Sequence, residues 1–331
     1  METTIDKTIG AVVIGRNEGD RLIACIESLK SHLQYVVYVD SGSEDASLQE
    51  AEKRDVDCVS LDMSQPFTAA RARNEGARYL LEKYSEIEFI QFVDGDCVIQ
   101  PSWIETAHAF LVENPSYALT CGRRRERFPE STVYNQLCDI EWDTPIGDAK
   151  ACGGDVLIRV SSFKQVDGYN GALIAGEEPE MCFRLRVKGW KVYRLDSEMT
   201  LHDAAMTHIG QWWNRAKRAG YAYAQGCYLH GKSREKYNVK PTRSIIVWAA
   251  LLPMLIIVSS IYNPMFLALF ICYPVQIVRL SIKNMSQDLS LKNSIYYAMS
   301  NVCGKFPQCV GALRFLKNQI QNRQSSLIEY K

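Results

Sequence analysis

Four short apolar runs, Ile9–Gly15, Tyr35–Asp40, Cys58–Leu61 and Phe89–Val93, recur through the first third of the chain with helix-patterned stretches between them. Strand-length runs alternating with helical patterns restrict this region to βαβ units around a parallel sheet. Helices are expected over Asp20–His32, Ser47–Arg54 and Thr68–Lys83, with a fourth over Trp103–Glu113 behind the helix-starting Pro101. Open sheets of this kind bind ligands beyond the carboxyl ends of their strands. Three of those ends are polar here: Arg16-Asn17-Glu18, Asp40-Ser41-Gly42-Ser43-Glu44-Asp45 and Asp94-Gly95-Asp96. Solvated loops alone do not account for three such turns on one sheet edge.

Asp94 and Asp96 are one residue apart, directly after an apolar run. On an extended chain residues i and i+2 share a face, so both carboxylates can address one hard cation. Two aspartates supply too few oxygens to cage Mg²⁺ or Mn²⁺, and such ions complete their shells with water and substrate phosphates. The pair therefore outlines a metal-diphosphate site.

Composition narrows the partners. Lys+Arg and Asp+Glu are equal at 38 each, so no global field favours nucleic acid. The 47% hydrophobic and 23% charged content is that of a globular chain, and 331 residues hold one large domain with an appendage or two ordinary domains. Eleven cysteines, an odd number without C-x-x-C pairs, read as reduced cytosolic thiols rather than disulfides or a zinc site. The opening residues have no apolar signal-peptide core.

From Ser131 to Asp203 the pattern becomes irregular and turn-rich, with a helix expected at Pro179–Lys188 and a strand at Trp190–Leu195. Ile209–His230 reads as a helix rich in aromatic and basic groups. Beyond it, Ile245–Tyr262 and Met265–Ile282 are nearly uncharged and separated by Asn263-Pro264, a turn signal. Each would form a helix about 27 Å long, close to the ~30 Å hydrocarbon thickness of a bilayer. Basic residues flank both outer ends (Lys232, Arg234, Lys236, Lys240 and Arg243 before; Arg279, Lys283 and Lys292 after), which keeps both flanks cytoplasmic if the pair spans. The pair is read as a spanning or re-entrant hairpin, against a buried soluble hairpin or one lying in the interface. Pro253 and Pro274 are expected to kink it without excluding insertion.

Five motifs in order resemble family 2 glycosyltransferases of the GT-A fold, across about residues 9–230. They are Val12-Val13-Ile14-Gly15-Arg16-Asn17-Glu18, Val39-Asp40-Ser41-Gly42-Ser43-Glu44-Asp45, Ala70-Arg71-Ala72-Arg73-Asn74-Glu75-Gly76, Phe92-Val93-Asp94-Gly95-Asp96, and Gly176-Glu177-Glu178 ahead of Arg184-Leu185-Arg186. The resemblance implies an α/β GT-A fold, mostly parallel in its sheet, with the apolar hairpin appended. It implies a donor site of Gly15, Asn17, Glu18, Asp40, Arg71, Arg73 and Asp94, and a Mg²⁺ or Mn²⁺ ion on Asp96 and Asp94, with His202 a candidate third ligand. Glu177 and Glu178 match the family's acidic pair, usually Glu-Asp, whose second member is implicated as the base; which of them reaches the acceptor stays open. Asp155 in the Gly153-Gly154 turn is assigned to the acceptor side. Gln211-Trp212-Trp213-Asn214-Arg215 loosely resembles the QxxRW element of processive synthases with Arg and Trp reordered, so Trp212, Trp213 and Arg215 are acceptor-side candidates.

Each residue has a structural alternative. Asp40 can close an Asx-turn, Arg71 and Arg73 can be solvated helix residues, and the glutamates can complement a helix dipole. His202 can be a hydrogen-bonded core residue, Asp155 part of an ordinary turn, and the tryptophan helix a membrane-docking surface.

The resulting expectation is a membrane-associated inverting enzyme moving a sugar from a nucleotide-diphospho-sugar, with a UDP-sugar favoured, to a hydroxyl of a glycan or polyprenyl-linked acceptor. Its catalytic domain would face the cytoplasm at the inner membrane. The expected organisation is a transferase domain over 1–230, a basic linker over 231–243, the hairpin over 244–283 and a helical tail over 284–331. Two rival classes are a non-catalytic sugar-nucleotide-binding or assembly subunit, against which the retained acidic residues argue, and a nucleotidyltransferase. The latter is expected to carry a Gly-rich phosphate loop with a lysine, a form that Gly15-Arg16-Asn17-Glu18-Gly19 lacks.

Overall fold

The computed structural model describes residues 7–286 and 289–322. Residues 1–6, and residues 287–288 and 323–331 of the expected tail, lie outside it. Among the described residues the chain forms two compact units. The first is drawn from Met1–Arg127 and Glu141–Ala204, the second from Phe128–Ile140 and Ala205–Lys331.

The first unit opens as the alternation requires: β1 (Ile9–Gly15), α1 (Asp20–Lys30), β2 (Tyr35–Asp40), α2 (Ser47–Glu52), β3 (Asp57–Ser60), α3 (Ala69–Lys83) and β4 (Phe89–Asp94). These strands are parallel in the order β3-β2-β1-β4. β1, β2 and β4 are buried on both faces, which is why they read as continuous apolar runs. Gly76 lets α3 lie directly on the sheet, since a Cβ there would strike Val12 and Val39. Trp103 is fully buried and donates its indole N–H to the buried Gln91 of β4 at 2.8 Å.

The chain then departs from the expected pattern. β5 (Cys97–Ile99), α4 (Trp103–Glu113), β6 (Tyr117–Glu126), α5 (Val133–Trp142), β7 (Gly147–Asp148), β8 (Val156–Arg159), α6 (Val160–Gln165), α7 (Glu177–Val187) and β9 (Lys191–His202) follow. The segment expected to be irregular thus holds regular elements, and the strand expected at Trp190–Leu195 runs on to His202. Strands β8, β6, β9 and β5 extend the sheet beyond β4. β8 is antiparallel to β4, so its start lies at the edge where β4 ends. β6 opposes β8, and β9 runs with β6, so both finish at that same edge. The topology therefore gathers Gly15, Asp40, Asp94, Asp155, Arg124, Glu126 and His202 on one rim.

The second unit is helical. α8 (Ile209–His230) packs along the Lys305–Ile320 helix, with glycines at the contact: a Cβ on Gly220 would strike the Gln308 backbone, and one on Gly311 the Lys217 carbonyl. Val239–Tyr262 and Pro264–Met285 are long and apolar enough to cross a membrane, with mean hydropathy 2.4 and 1.9 and 11% and 6% of their apolar windows buried. Each internal proline falls in the first turn of an α-helical segment, Pro253 behind a π-helical stretch (Val247–Leu251) and Pro274 behind a 3₁₀ stretch (Pro264–Ile271). Asn263 caps the second helix by accepting from Met265 N–H at 3.0 Å.

Candidate functional site

The end of β4 carries the first aspartate and the start of β5 follows the second. Asp94 Oδ1 accepts from Arg73 at 2.8 Å and Oδ2 from Arg124 at 3.0 Å. Burial alone would raise its pKa, but the two guanidinium groups hold it well below the usual carboxylate range. Asp94 is thus an ionised carboxylate, 28% exposed, clamped by arginines. Asp96 is buried and faces His202, with Oδ2 and Nε2 3.3 Å apart. Burial, and next the Arg124 charge, lower the His202 pKa. The imidazole is therefore neutral at pH 7, the form that binds cations.

The Asp96–His202 pair fits a divalent ion. Cis ligands about 2.1 Å from an octahedral cation lie ~3 Å apart, near the observed separation. His202 Nδ1 stands 3.9 Å from Glu126 Oε2, beyond hydrogen-bond reach, and that oxygen accepts from Ala204 N–H at 3.0 Å. Trp142 meets the ring edge-on at 4.7 Å and carries the Arg124 guanidinium on its face at 5.1 Å.

Arg73 ties this centre to the acidic pair. It is buried on α3 and reaches Glu177 at 3.2 Å and Glu178 at 3.1 Å as well as Asp94. Gly176 caps α7 in the left-handed region at φ 74°, which turns Glu177 and Glu178 into the first helical turn. The helix therefore begins two residues earlier than expected, and the pair belongs to it. Burial, then repulsion from Glu177, push the Glu178 carboxyl up to about 7, with Arg73 opposing. Its side chain keeps 17% exposure, so it can meet a solute.

The other predicted residues have local roles in this structure. The Asp40 carboxylate accepts from Tyr38 O–H at 2.9 Å and from the N–H groups of Gly42 and Ser43 at 3.0 and 2.9 Å, the Asx-turn alternative. Asn17 bridges the loops after β1 and β2, accepting from Glu44 N–H at 2.7 Å, while Glu18 pairs with Arg21 at 2.8 Å beside Gly15. Arg71 donates to the carbonyls of Asp62, Gln65 and Pro66 and braces its own loop. Asp155 requires a correction: at 0% exposure it cannot face an acceptor. Its oxygens instead accept from Asp94 N–H at 3.2 Å and Thr200 O–H at 2.8 Å. Trp212, Trp213 and Arg215 lie on α8 of the second unit, where Trp212 donates to Ser300 Oγ at 2.9 Å. Gln211 caps that helix, accepting from His208 N–H at 3.2 Å.

Arg124, Glu126 and Trp142 were not foreseen from the sequence. For Arg124 and Glu126 the available signal was period-two alternation along Arg123-Arg124-Arg125-Glu126, which puts the two on one face. Gly154 supports the clamp, because a Cβ there would strike Arg73 Nη2 and lie 3.1 Å from both Asp94 oxygens. Gly154→Ala is expected to destabilise the protein by about 1–3 kcal/mol through overpacking. Gly153→Ala, whose Cβ would meet nothing nearer than 3.8 Å, is expected to stay within about 0.5 kcal/mol; denaturant titration of the two variants checks the contrast.

The model of glycosyl transferase family 2 matches residues 11–165. No curated protein matches the sequence. Among solved structures, the mannosyltransferase PcManGT from Pyrobaculum calidifontis, in complex with GDP-Man and Mn²⁺, aligns at TM-score 0.59 and 14% identity over 96% of this chain and 90% of its own. That likeness shows the GT-A fold. TarS of S. aureus aligns at TM-score 0.47 and 16% identity over 65% of this chain, which spans 39% of TarS. GalNAc-T7 with UDP, GalNAc and Mn²⁺ aligns at 0.47 and 16% over 71%, and this chain spans 54% of it.

Proposed function

We propose that this chain, which the glycosyl transferase family 2 model matches over residues 11–165, moves a sugar with inversion from a nucleotide-diphospho-sugar to a hydroxyl of a lipid-linked glycan. The observation that carries this reading is the charge arrangement on one rim. A cation-ready Asp96–His202 pair and a glutamate poised near neutrality are joined through Asp94 and Arg73.

In this mechanism a divalent ion held by Asp96 and His202 would neutralise the leaving diphosphate as a Lewis acid. Arg73 holds Asp94 ionised and keeps the acidic pair close to the donor side. Glu178 in its carboxylate form takes the acceptor O–H proton as the acceptor oxygen bonds to the anomeric carbon, and the bond to the diphosphate oxygen breaks. Attack opposite the leaving group inverts that carbon. Glu177 repels the Glu178 charge, so the proton is accepted at a carboxylate basic enough to hold it. A UDP-sugar is the favoured donor.

Calorimetric titration of UDP-, GDP- and dTDP-sugars with Mn²⁺ or Mg²⁺ tests the donor site. One donor class is expected to bind only with the cation. Binding without turnover on any glycan acceptor would select a non-catalytic assembly subunit, and binding of none would sink the transferase reading.

The lipid acceptor and inner-membrane location rest on the apolar helix pair with its basic flanks. A spanning hairpin predicts that Met265→Cys, a position 80% exposed at the turn, reacts with a membrane-impermeant maleimide from the far side of intact cells. Lys232→Cys is expected to react only after permeabilisation. Labelling of both only after permeabilisation would replace the spanning hairpin with a re-entrant or interfacial one.

A further inference from the structure

The cation pair has a sulfur neighbour. Cys97 opens β5, and its Cα lies opposite that of His202 on antiparallel β9. Residues paired in this way project to the same face of a sheet. The thiol therefore stands beside the imidazole, with Sγ 3.6 Å from Asp96 Oδ1. One ligand atom from each of Asp96, Cys97 and His202 falls within 4.8 Å of the others, and all three residues are buried. Asp94, Cys97 and Asp155 form a second such group, so Cys97 is the residue common to both. Among the described residues no other cysteine joins a group of this kind. Arg124 Nη2, 3.3 Å from Sγ, adds positive charge next to the sulfur. Spacing rules for cysteine-metal motifs pass over this arrangement, because a single cysteine is interleaved with aspartate and a histidine distant in sequence.

We propose that Cys97 is a third protein ligand of the cation, making an oxygen–nitrogen–sulfur set that favours borderline and soft divalent ions over magnesium. This inference rests on the metal reading of Asp96 and His202 given above. Sulfur selects softer ions, whereas magnesium keeps to oxygen. A thiol that coordinates a divalent ion gives up its proton. On coordination the proton leaves to solvent and a sulfur lone pair forms the metal–sulfur bond, with no change of oxidation state.

Cobalt(II), titrated into the full-length chain in detergent after EDTA treatment and with UDP present, reads the two claims separately. Visible d–d bands report bound cobalt, and a near-ultraviolet sulfur-to-cobalt charge-transfer band reports thiolate in its shell. Both are expected to rise together to saturation. Cys97→Ser is expected to abolish the charge-transfer band, keep d–d bands, and weaken cadmium(II) binding at least about tenfold while changing magnesium binding less than about twofold. Wild-type d–d bands without the charge-transfer band would overturn Cys97 ligation and leave the metal reading standing. A charge-transfer band unchanged in Cys97→Ser would do the same. Failure of the wild-type chain to bind cobalt would overturn both claims. The wild-type spectrum decides the matter even if the variant misfolds.

Discussion

Asp96→Ala is expected to lower kcat by about 10³-fold, because a Lewis acid on the leaving group contributes several kcal/mol and each 1.36 kcal/mol is a factor of ten. The loss should appear at saturating donor, and raising Mn²⁺ should restore little of it. His202 alone then offers the cation one protein nitrogen, with Cys97 beside it. Circular dichroism and denaturant midpoints close to wild type, beside the collapse in turnover, are the result to obtain. A variant that keeps more than about a tenth of wild-type kcat would show that Asp96 does not hold the ion on which turnover depends.

Glu178→Gln is expected to cost about 10²–10⁴-fold in kcat while leaving donor binding near wild type, the range for loss of a general base. Glutamine keeps the shape but cannot accept the proton. Arg73 retains Asp94 and Glu177 as partners, so its buried charge stays compensated. The pH profile gives an independent sign. A base works ionised, so wild-type activity should rise with pH through about 7, where burial and Glu177 place the Glu178 carboxyl. Removing the Glu177 charge removes one of the causes that raise it. Glu177→Gln should therefore move the acid limb to lower pH. A limb that stays put in Glu177→Gln, or activity in Glu178→Gln close to wild type, would assign the proton transfer to another group.

The parallel half of the sheet was legible because each strand carries its own signal. β1, β2 and α4 fall where the apolar runs and Pro101 place them, and β3 and β4 differ by a residue at their ends. Strand β6 was not foreseen, and β9 was expected only as far as Leu195. β6 ends in Arg123-Arg124-Arg125-Glu126, a charged stretch without the apolar run that marks the parallel strands. Arg125 meets Glu198 of β9, and Arg124 meets Asp94 and Asp155, so the polar strand ends are compensated by residues distant in sequence. The same limit applied at the site. Asp94, Asp96, Glu177 and Glu178 could be found by motif, but not that Arg73 joins two of these motifs. Nor could sequence show that Asp155 points inward, because that depends on which strand β8 pairs with.

The most direct test is release of nucleoside diphosphate from UDP-, GDP- and dTDP-sugars by the full-length chain, with Mn²⁺ and then with EDTA, alongside Asp96→Ala and Glu178→Gln. The account predicts turnover of one donor class that stops on chelation, returns with Mn²⁺, and is lost in both variants. Turnover that continues in EDTA, or persists in both variants at the wild-type rate, would contradict it.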